Sequence, residues 1–410
     1  MAKKLKILIS CYACSPLRGS EPGMGWSFVF GLSKHNEVHV IVEKEKWEKD
    51  INSFLEKYPS KDLKFYFITK KRARLLRKIW PPSYYWFYKK WQQKAFLLAK
   101  KLDRTENFDV IHQLNMVGYR EPGFLWKMKK PFVWGPIGGT ENIPWKLFLL
   151  FSFYGKLFYG FRNVTNRYQI KNLSRPKLAA NREQAILIAA TPDIQNSIKK
   201  YWNQNSFIVP EIGSIENKNI KIDSRKENEP LKIVWTGQHI QRKALHLLLK
   251  SLDLVDKSVE WELHILGLGT ETKRWQKMAK NLNIDSNCIW HGWVDKSIAL
   301  SIMKQAHVLA ITSLYDLTST VIIEGISLGL PVVTLDHCGF SFVIDETCGI
   351  KIPVDNPKKI FINFKLAIQK LYQSESYRVS LAEGALKRAQ DFSWEKKIKQ
   401  LNEVYQKLTV

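Results

Sequence analysis

The chain has 410 residues, 45% of them hydrophobic, and carries 64 Lys plus Arg against 38 Asp plus Glu, a formal charge of +26. At about 150 residues per domain this length and apolar content suit two or three globular domains and exclude a disordered chain. The cationic excess calls for an anionic partner, and five cysteines, an odd number, argue against a disulfide framework and for a reducing compartment.

The first strand is expected over Leu5 to Ser10. Lys6 interrupts its apolar run, which is too short for the core of a leader peptide despite the Leu8-Ile9-Ser10-Cys11 box. Cys11 and Cys14 form a C-x-x-C, but Ser15-Pro16 and a glycine-rich loop, Gly19 to Gly25, follow in place of the helix that redox motifs open. A helix from Trp26 to Leu32 comes next. Strands are expected at Val38 to Val42, Leu63 to Ile68, Val110 to His112, Pro131 to Trp134 and Ile186 to Ala190. Between them lie two stretches mixing bases with large aromatics. Lys70 to Lys78 runs into Tyr84 to Trp91, and Trp145 to Arg162 holds an uncharged core from Leu147 to Gly155. Neither approaches the roughly 20 apolar residues needed to span a bilayer, whereas both suit an anionic membrane surface. The same composition would also suit stacking on RNA.

Glu216 to Pro230 is polar, without apolar period, and reads as a linker. After it the opening pattern recurs. Lys232 to Trp235 runs into Thr236-Gly237 and a helix from Lys243 to Leu254, followed by strands at Glu262 to Leu266, Cys288 to Trp290, Val308 to Thr312 and Val332 to Leu335. The repeat predicts two doubly wound α/β domains with mostly parallel sheets. A last helix is expected over Trp394 to Leu408, capped by Asp391-Phe392-Ser393.

The most telling segment is Ile311 to Val333, where Asp316 and Glu324 stand eight residues apart across a loop and the start of an apolar helix. An unpaired buried carboxylate is costly, so Glu324 is expected to face water and a ligand, and vicinal ribose hydroxyls suit a bidentate acceptor. Thr318, Ser319 and Thr320 are N-cap types whose first-turn N–H groups, with the helix dipole behind them, suit a phosphate.

This segment, an acid, seven residues, Glu, then Gly329-Leu330-Pro331-Val332-Val333, resembles the signature of family 4 of the retaining glycosyltransferases. Two departures stand out: Asp316 replaces the usual Glu, and Thr318-Ser319 replace an aromatic or Pro followed by Gly. Gly237-Gln238-His239-Ile240-Gln241-Arg242-Lys243-Ala244 resembles the second signature, Gly-Arg-x-x-x-x-Lys-Gly, with Gln238 for its Arg and Ala244 for its closing Gly. The resemblance implies a GT-B fold, with two facing Rossmann-like domains and an interdomain cleft. Its boundaries here would be 1–213 for the acceptor-side domain, 214–230 for the linker, 231–390 for the nucleotide-sugar domain and 391–410 for a helix crossing back onto the first.

In that reading Glu324 binds the ribose and Asp316 the donor sugar. Lys243, with Gly237, Gln238 and Arg242, clamps the diphosphate beside Thr318, Ser319 and Thr320. Gly23 and Gly25 approach the phosphate, and His112 resembles the histidine many relatives place beside the donor sugar. Glu21, Arg120 and the turn Gly135 to Gly139 are further cleft candidates. No cofactor or metal is implied: the donor is a UDP- or GDP-sugar, Asp-x-Asp is absent, and no His/Cys cluster has zinc spacing. The implied reaction is transfer with retention to a glycan or lipid-linked acceptor, in cell-surface polysaccharide or lipopolysaccharide synthesis, by a cytoplasmic protein peripheral to the inner membrane face. A nucleotide-sugar epimerase on the same fold and a basic nucleic-acid-binding protein are the alternatives. A NAD-linked dehydrogenase is disfavoured because neither glycine loop has the dinucleotide spacing.

Overall fold

The computed structural model describes residues 4–70, 75, 79–80, 83–214 and 220–409. They form two units, one of residues 1–140, 167–213 and 394–410, the other of residues 141–166 and 214–393.

The first unit is built on a seven-stranded parallel sheet. Its strands are β1 (Lys6–Cys11), β2 (Glu37–Glu43), β3 (Leu63–Ile68), β4 (Val110–Asn115), β5 (Phe132–Ile137), β6 (Ala185–Ala189) and β7 (Ser206–Ile208), in the order β3-β2-β1-β4-β5-β6-β7. β1 and β4 are buried on both faces, as continuous apolar runs such as Ile7-Leu8-Ile9 require. The helix Trp394–Thr409 belongs to this unit: Trp394 meets Phe28 edge-on at 5.1 Å, and Ile398 occupies the space a side chain at Gly31 would need.

The second unit carries a six-stranded parallel sheet of β8 (Leu231–Thr236), β9 (Trp261–Leu266), β10 (Cys288–Gly292), β11 (Val308–Ile311), β12 (Val332–Leu335) and β13 (Gly349–Ile352), ordered β10-β9-β8-β11-β12-β13. The chain winds outward from β8 to one side and from β11 to the other. The ends of these two neighbours therefore mark the switch point where open α/β sheets bind ligands.

Several expectations change. Residues 141–166, read within the first domain, bury Ile143, Leu147, Phe148, Leu150 and Phe151 in the core of the second unit. Gly19 to Gly25 is not a loop, because the helix Ser20–Ser33 includes Gly23 and Gly25. Much of the linker is fastened: the Arg225 amide donates to Glu375 at 2.8 Å and its guanidinium to the Tyr372 carbonyl at 2.7 Å. Residues 215–219 of that stretch lie outside the described residues. So does most of the basic run Lys70 to Lys78; Lys70 itself is buried, its ammonium 3.6 Å from the Tyr84 ring centre. β7 and β13, short strands, go unmarked by the sequence pattern. All five cysteines are buried and unbridged. Among the described residues, no helix is long and apolar enough to cross a membrane.

At the amino ends of β1 to β3, Glu37 and Glu106 gather with His39, with ligand atoms within 4.8 Å of one another, a spacing a metal could use. Lysines hold the carboxylates instead, Lys64 on Glu37 at 2.8 Å and Lys6 on Glu106 at 2.9 Å. The hydrogen bond from Lys64, then that from His39, draws the Glu37 pKa down to about 2. A depressed carboxylate contributes stability that is full above its unfolded value and is lost as pH falls toward the folded one. Unfolding free energy is expected to drop between about pH 4.5 and 2, with a shallower slope in Glu37→Gln, as denaturant titrations at stepped pH will show.

Candidate functional site

The loops leaving β8 and β11 are stitched together. Trp235 Nε1 donates to Thr312 Oγ1 at 2.9 Å, and that hydroxyl donates to the Lys243 carbonyl at 2.8 Å. The Leu314 amide donates to the Arg242 carbonyl at 2.7 Å, and Arg242 Nη1 donates to the Tyr315 carbonyl at 2.8 Å. These bonds bring Lys243 onto Asp316, whose Oδ2 accepts from Lys243 Nζ and lies 3.4 Å from Arg242 Nη1. Burial pushes the Asp316 carboxyl up, but the charges of Lys243 and Arg242 and the Lys243 hydrogen bond outweigh it, holding the pKa below the ordinary carboxylate value. Two cations therefore meet one carboxylate at the switch point, leaving a net positive charge.

The helix Thr320–Ser327 begins directly after this cluster. Its N-cap, Ser319, makes no side-chain capping bond and has a φ of +66°. Ala244 has a φ of +49°. Both stand where the resembling family has Gly, and this backbone conformation explains that preference. Ser319→Gly is expected to stabilise the chain by up to about 1 kcal/mol in denaturation, by relieving a strained φ. A loss would show instead that the serine hydroxyl holds the turn. Thr318 is buried, and Gly339 packs so closely that a Cβ there would lie 2.4 Å from the Leu317 carbonyl oxygen.

Glu324, one turn into the helix, is half-buried. Its Oε1 lies 2.8 Å from Nζ of the exposed Lys296. The carboxylate is thus reachable by solvent and already holds a cation.

Gly237 and Gln238 begin the loop after β8, with Gln238 exposed. The Gly237 amide donates to the Leu266 carbonyl at 3.1 Å and the His239 amide to the Leu268 carbonyl at 3.1 Å. The buried His239 ring meets Thr272 Oγ1 at 2.8 Å, and burial pushes its pKa down to about 4. Space here is set by two glycines that the sequence reading passed over. A Cβ on Gly267 would lie 2.0 Å from the Gly237 carbonyl oxygen, and one on Gly269 2.4 Å from that of His239. Gly267-Leu268-Gly269 follows β9 much as Gly237 follows β8, so the signal was available. Lys296 had none, and neither did Arg162, which lies 3.9 Å over the Tyr315 ring.

In the first unit three of the site candidates have structural roles. His112 is fully buried in β4, its Nε2 2.7 Å from the Gly135 carbonyl and its Nδ1 2.6 Å from the Tyr405 hydroxyl. Burial pushes its pKa down to about 4, so the neutral ring uses both nitrogens to position β5 and the last helix, leaving none for a substrate. A Cβ at Gly23 would lie 2.3 Å from the Arg18 carbonyl oxygen, and one at Gly25 2.3 Å from that of Ala13 and 2.7 Å from Cys11 Sγ. Close helix packing accounts for both glycines without a phosphate. Glu21 accepts from the Val117 amide at 2.8 Å, and burial raises its pKa.

Residues 216–388 match the family model described as Glycosyl transferases group 1, a domain that covers the second unit's sheet. Lipopolysaccharide 1,6-galactosyltransferase of Escherichia coli strain K12 is 25% identical over 126 residues, 30% of this chain and 34% of that protein. The chain spans between 22% and 59% of the length of the curated relatives it matches, which include a lipopolysaccharide core glycosyltransferase. Among solved structures, sucrose-phosphate synthase from Thermosynechococcus elongatus superposes with a TM-score of 0.67 at 15% identity, covering 99% of both chains. Anabaena HepE in complex with UDP does so with 0.64 at 14% identity, over 97% of this chain and 99% of that one. The fold is therefore that of the GT-B glycosyltransferases, two Rossmann-like units with parallel sheets.

Proposed function

We propose that this chain is a retaining glycosyltransferase of family 4, moving a hexose from a UDP- or GDP-sugar to a hydroxyl of a glycan or lipid-linked acceptor in lipopolysaccharide or related cell-surface synthesis. One observation carries the reading: Lys243 and Asp316, from the loops leaving β8 and β11, meet at the switch point immediately before an N-terminal helical turn without a side-chain cap. In this reading the donor diphosphate lies between Lys243 and the first-turn N–H groups of Thr320–Ser327. Negative charge that builds on the leaving oxygens as the glycosyl bond breaks is met there by a fixed ammonium and a helix dipole, the roles a metal would otherwise fill. Glu324 leaves Lys296 to accept the two ribose hydroxyls. Asp316, kept ionised by its two cations, accepts hydroxyls of the donor sugar, and the departing phosphate helps take the acceptor proton.

The test is a thermal-shift series with UDP, GDP and ADP, followed by the sugar-linked forms of whichever nucleotide responds. A ligand at 100 times its dissociation constant stabilises by about 2.7 kcal/mol, so one base should stand out. No shift with any of them would overturn the reading.

A peripheral position on the cytoplasmic membrane face fits the same function. On the helix Phe153–Asn172, Tyr154, Leu157, Phe158 and Phe161 are exposed at helical spacing, and Lys146, Lys156, Arg162, Arg167 and Lys171 occur from residue 145 to 172 with no Asp or Glu. Such a face suits burial in an anionic interface. Sedimentation with vesicles containing phosphatidylglycerol is expected to carry the protein down, less so at high salt. Phe158→Ser with Phe161→Ser should weaken it at least about tenfold. Equal binding by that variant would remove this helix from the membrane account.

A further inference from the structure

The second unit holds a pocket of about 220 Å³ whose lining includes none of Arg242, Lys243, Asp316 and Glu324; it is formed in part by the helices Leu245–Asp253 and Thr272–Asn281 and by residues 149–152. His246 and Lys250 lie one turn apart on the first helix, so they share a face; Arg274 comes from the second. The His246 Nε2 is buried without a hydrogen-bond partner, which for a polar atom at a pocket wall marks an unmet donor or acceptor. Lys250 pairs with no carboxylate among the described residues, its Nζ standing 5.6 Å from the Phe361 ring centre. Arg274 is 3.2 Å from Glu271, the one acid on the lining, so Lys250 and Arg274 leave the pocket one net positive charge. Leu150, Phe151, Met278 and Phe361 make much of the remaining wall apolar, with Ser152 and Gln241, hydrogen-bonded to each other at 2.8 Å, as its polar members.

We propose that this pocket is a second ligand site for a small organic oxyanion, its charged group held by His246, Lys250 and Arg274 and its apolar body resting on Phe151 and Phe361. A cavity of about 150 Å³ accommodates benzene, so the space suits one aromatic ring or a short aliphatic body together with a phosphate or carboxylate. The oxyanion supplies the acceptor that Lys250 lacks among the described residues and gives His246 a reason to protonate. In the empty pocket burial, then the charge of Lys250, pushes the His246 pKa down to about 4, the Leu150 carbonyl acting the other way and Arg274 adding to the depression. Among the described residues Glu271 is the only acid on this lining, and it is engaged with Arg274.

The test is a histidine-selective NMR titration of the full chain with phenyl phosphate, inorganic phosphate and phenol as probes. Phenyl phosphate is expected to bind at or below about 1 mM and raise the His246 pKa by about one unit, a tenfold preference for the protonated ring. Lys250→Ala with Arg274→Ala, both at exposed positions, should fold normally and weaken binding at least about tenfold. Gln241 lines the pocket and neighbours Arg242 and Lys243, so the titration is repeated with saturating UDP, which should leave the phenyl phosphate affinity intact. Absence of any His246 shift at about 10 mM probe, displacement by UDP, equal binding of phenol, or unchanged binding in the double variant would each overturn the site. None of these outcomes depends on whether UDP supports glycosyl transfer.

Discussion

Glu324→Ala is expected to lower transfer by roughly 100- to 10,000-fold while leaving the fold intact. Two charge-assisted hydrogen bonds to ribose hydroxyls at about 1.5 to 3 kcal/mol each account for that range. Stability should barely move, because among the described residues the only ion pair lost is with Lys296, whose side chain is 61% exposed, and pairs of that kind contribute about 0 to 1 kcal/mol. Alanine also suits a helix interior at least as well as glutamate. The measurement is initial transfer rate alongside a denaturation curve. Full activity in a folded variant would end the ribose assignment, whereas a collapse in stability would show that the Lys296 pair matters to the fold.

Gly267→Ala is expected to destabilise the second unit by about 3 kcal/mol or more and to weaken nucleotide binding with it. Gly267 has a φ of +116°, a region that other residues rarely adopt, and an added Cβ would lie 2.0 Å from the Gly237 carbonyl oxygen. The atoms met under 3.4 Å, the Gly237 carbonyl oxygen and carbon, are backbone, so the backbone of the Gly237 to Lys243 loop must shift. Gly237→Ala makes the contrast: its Cβ would sit 3.6 Å from the Trp235 ring, an ordinary contact, and should cost less than about 1 kcal/mol. Denaturation midpoints of the two variants check the pair. A fall of about 6 to 12 °C is expected for Gly267→Ala and little change for Gly237→Ala. The reverse order would show that the motif glycine, not its supporting neighbour, sets the loop.

That contrast also shows what a linear reading reaches. The places of Asp316 and Lys243, in the loops leaving β11 and β8, are legible because each sits in a local pattern, a strand, a turn and a helix start, that fixes where the side chain emerges. Most strands were legible for the same reason, as apolar runs bounded by turn residues. A glycine before a helix and a glycine that lets a helix pack closely look alike in sequence; what separates them at Gly25 is that a Cβ there would lie only 2.3 Å from the Ala13 carbonyl oxygen. The structural partnership of His112 is not legible because its partner Tyr405 is 293 positions away. Residues 141–166 were assigned by chain order, whereas Ile143 and Phe148 are buried with β8 and β9 residues such as Trp235 and Leu263. Lys296 carries no signal in its own neighbourhood and acquires one only through Glu324.

The most direct measurement is a crystal structure of the protein with UDP or GDP, whichever shifts its melting temperature more. The account predicts the diphosphate against Lys243 Nζ and the backbone N–H groups following Ser319, with both ribose hydroxyls within hydrogen-bonding distance of a Glu324 carboxylate that has let go of Lys296. A nucleotide seated elsewhere, with Glu324 still bound to Lys296, would contradict it.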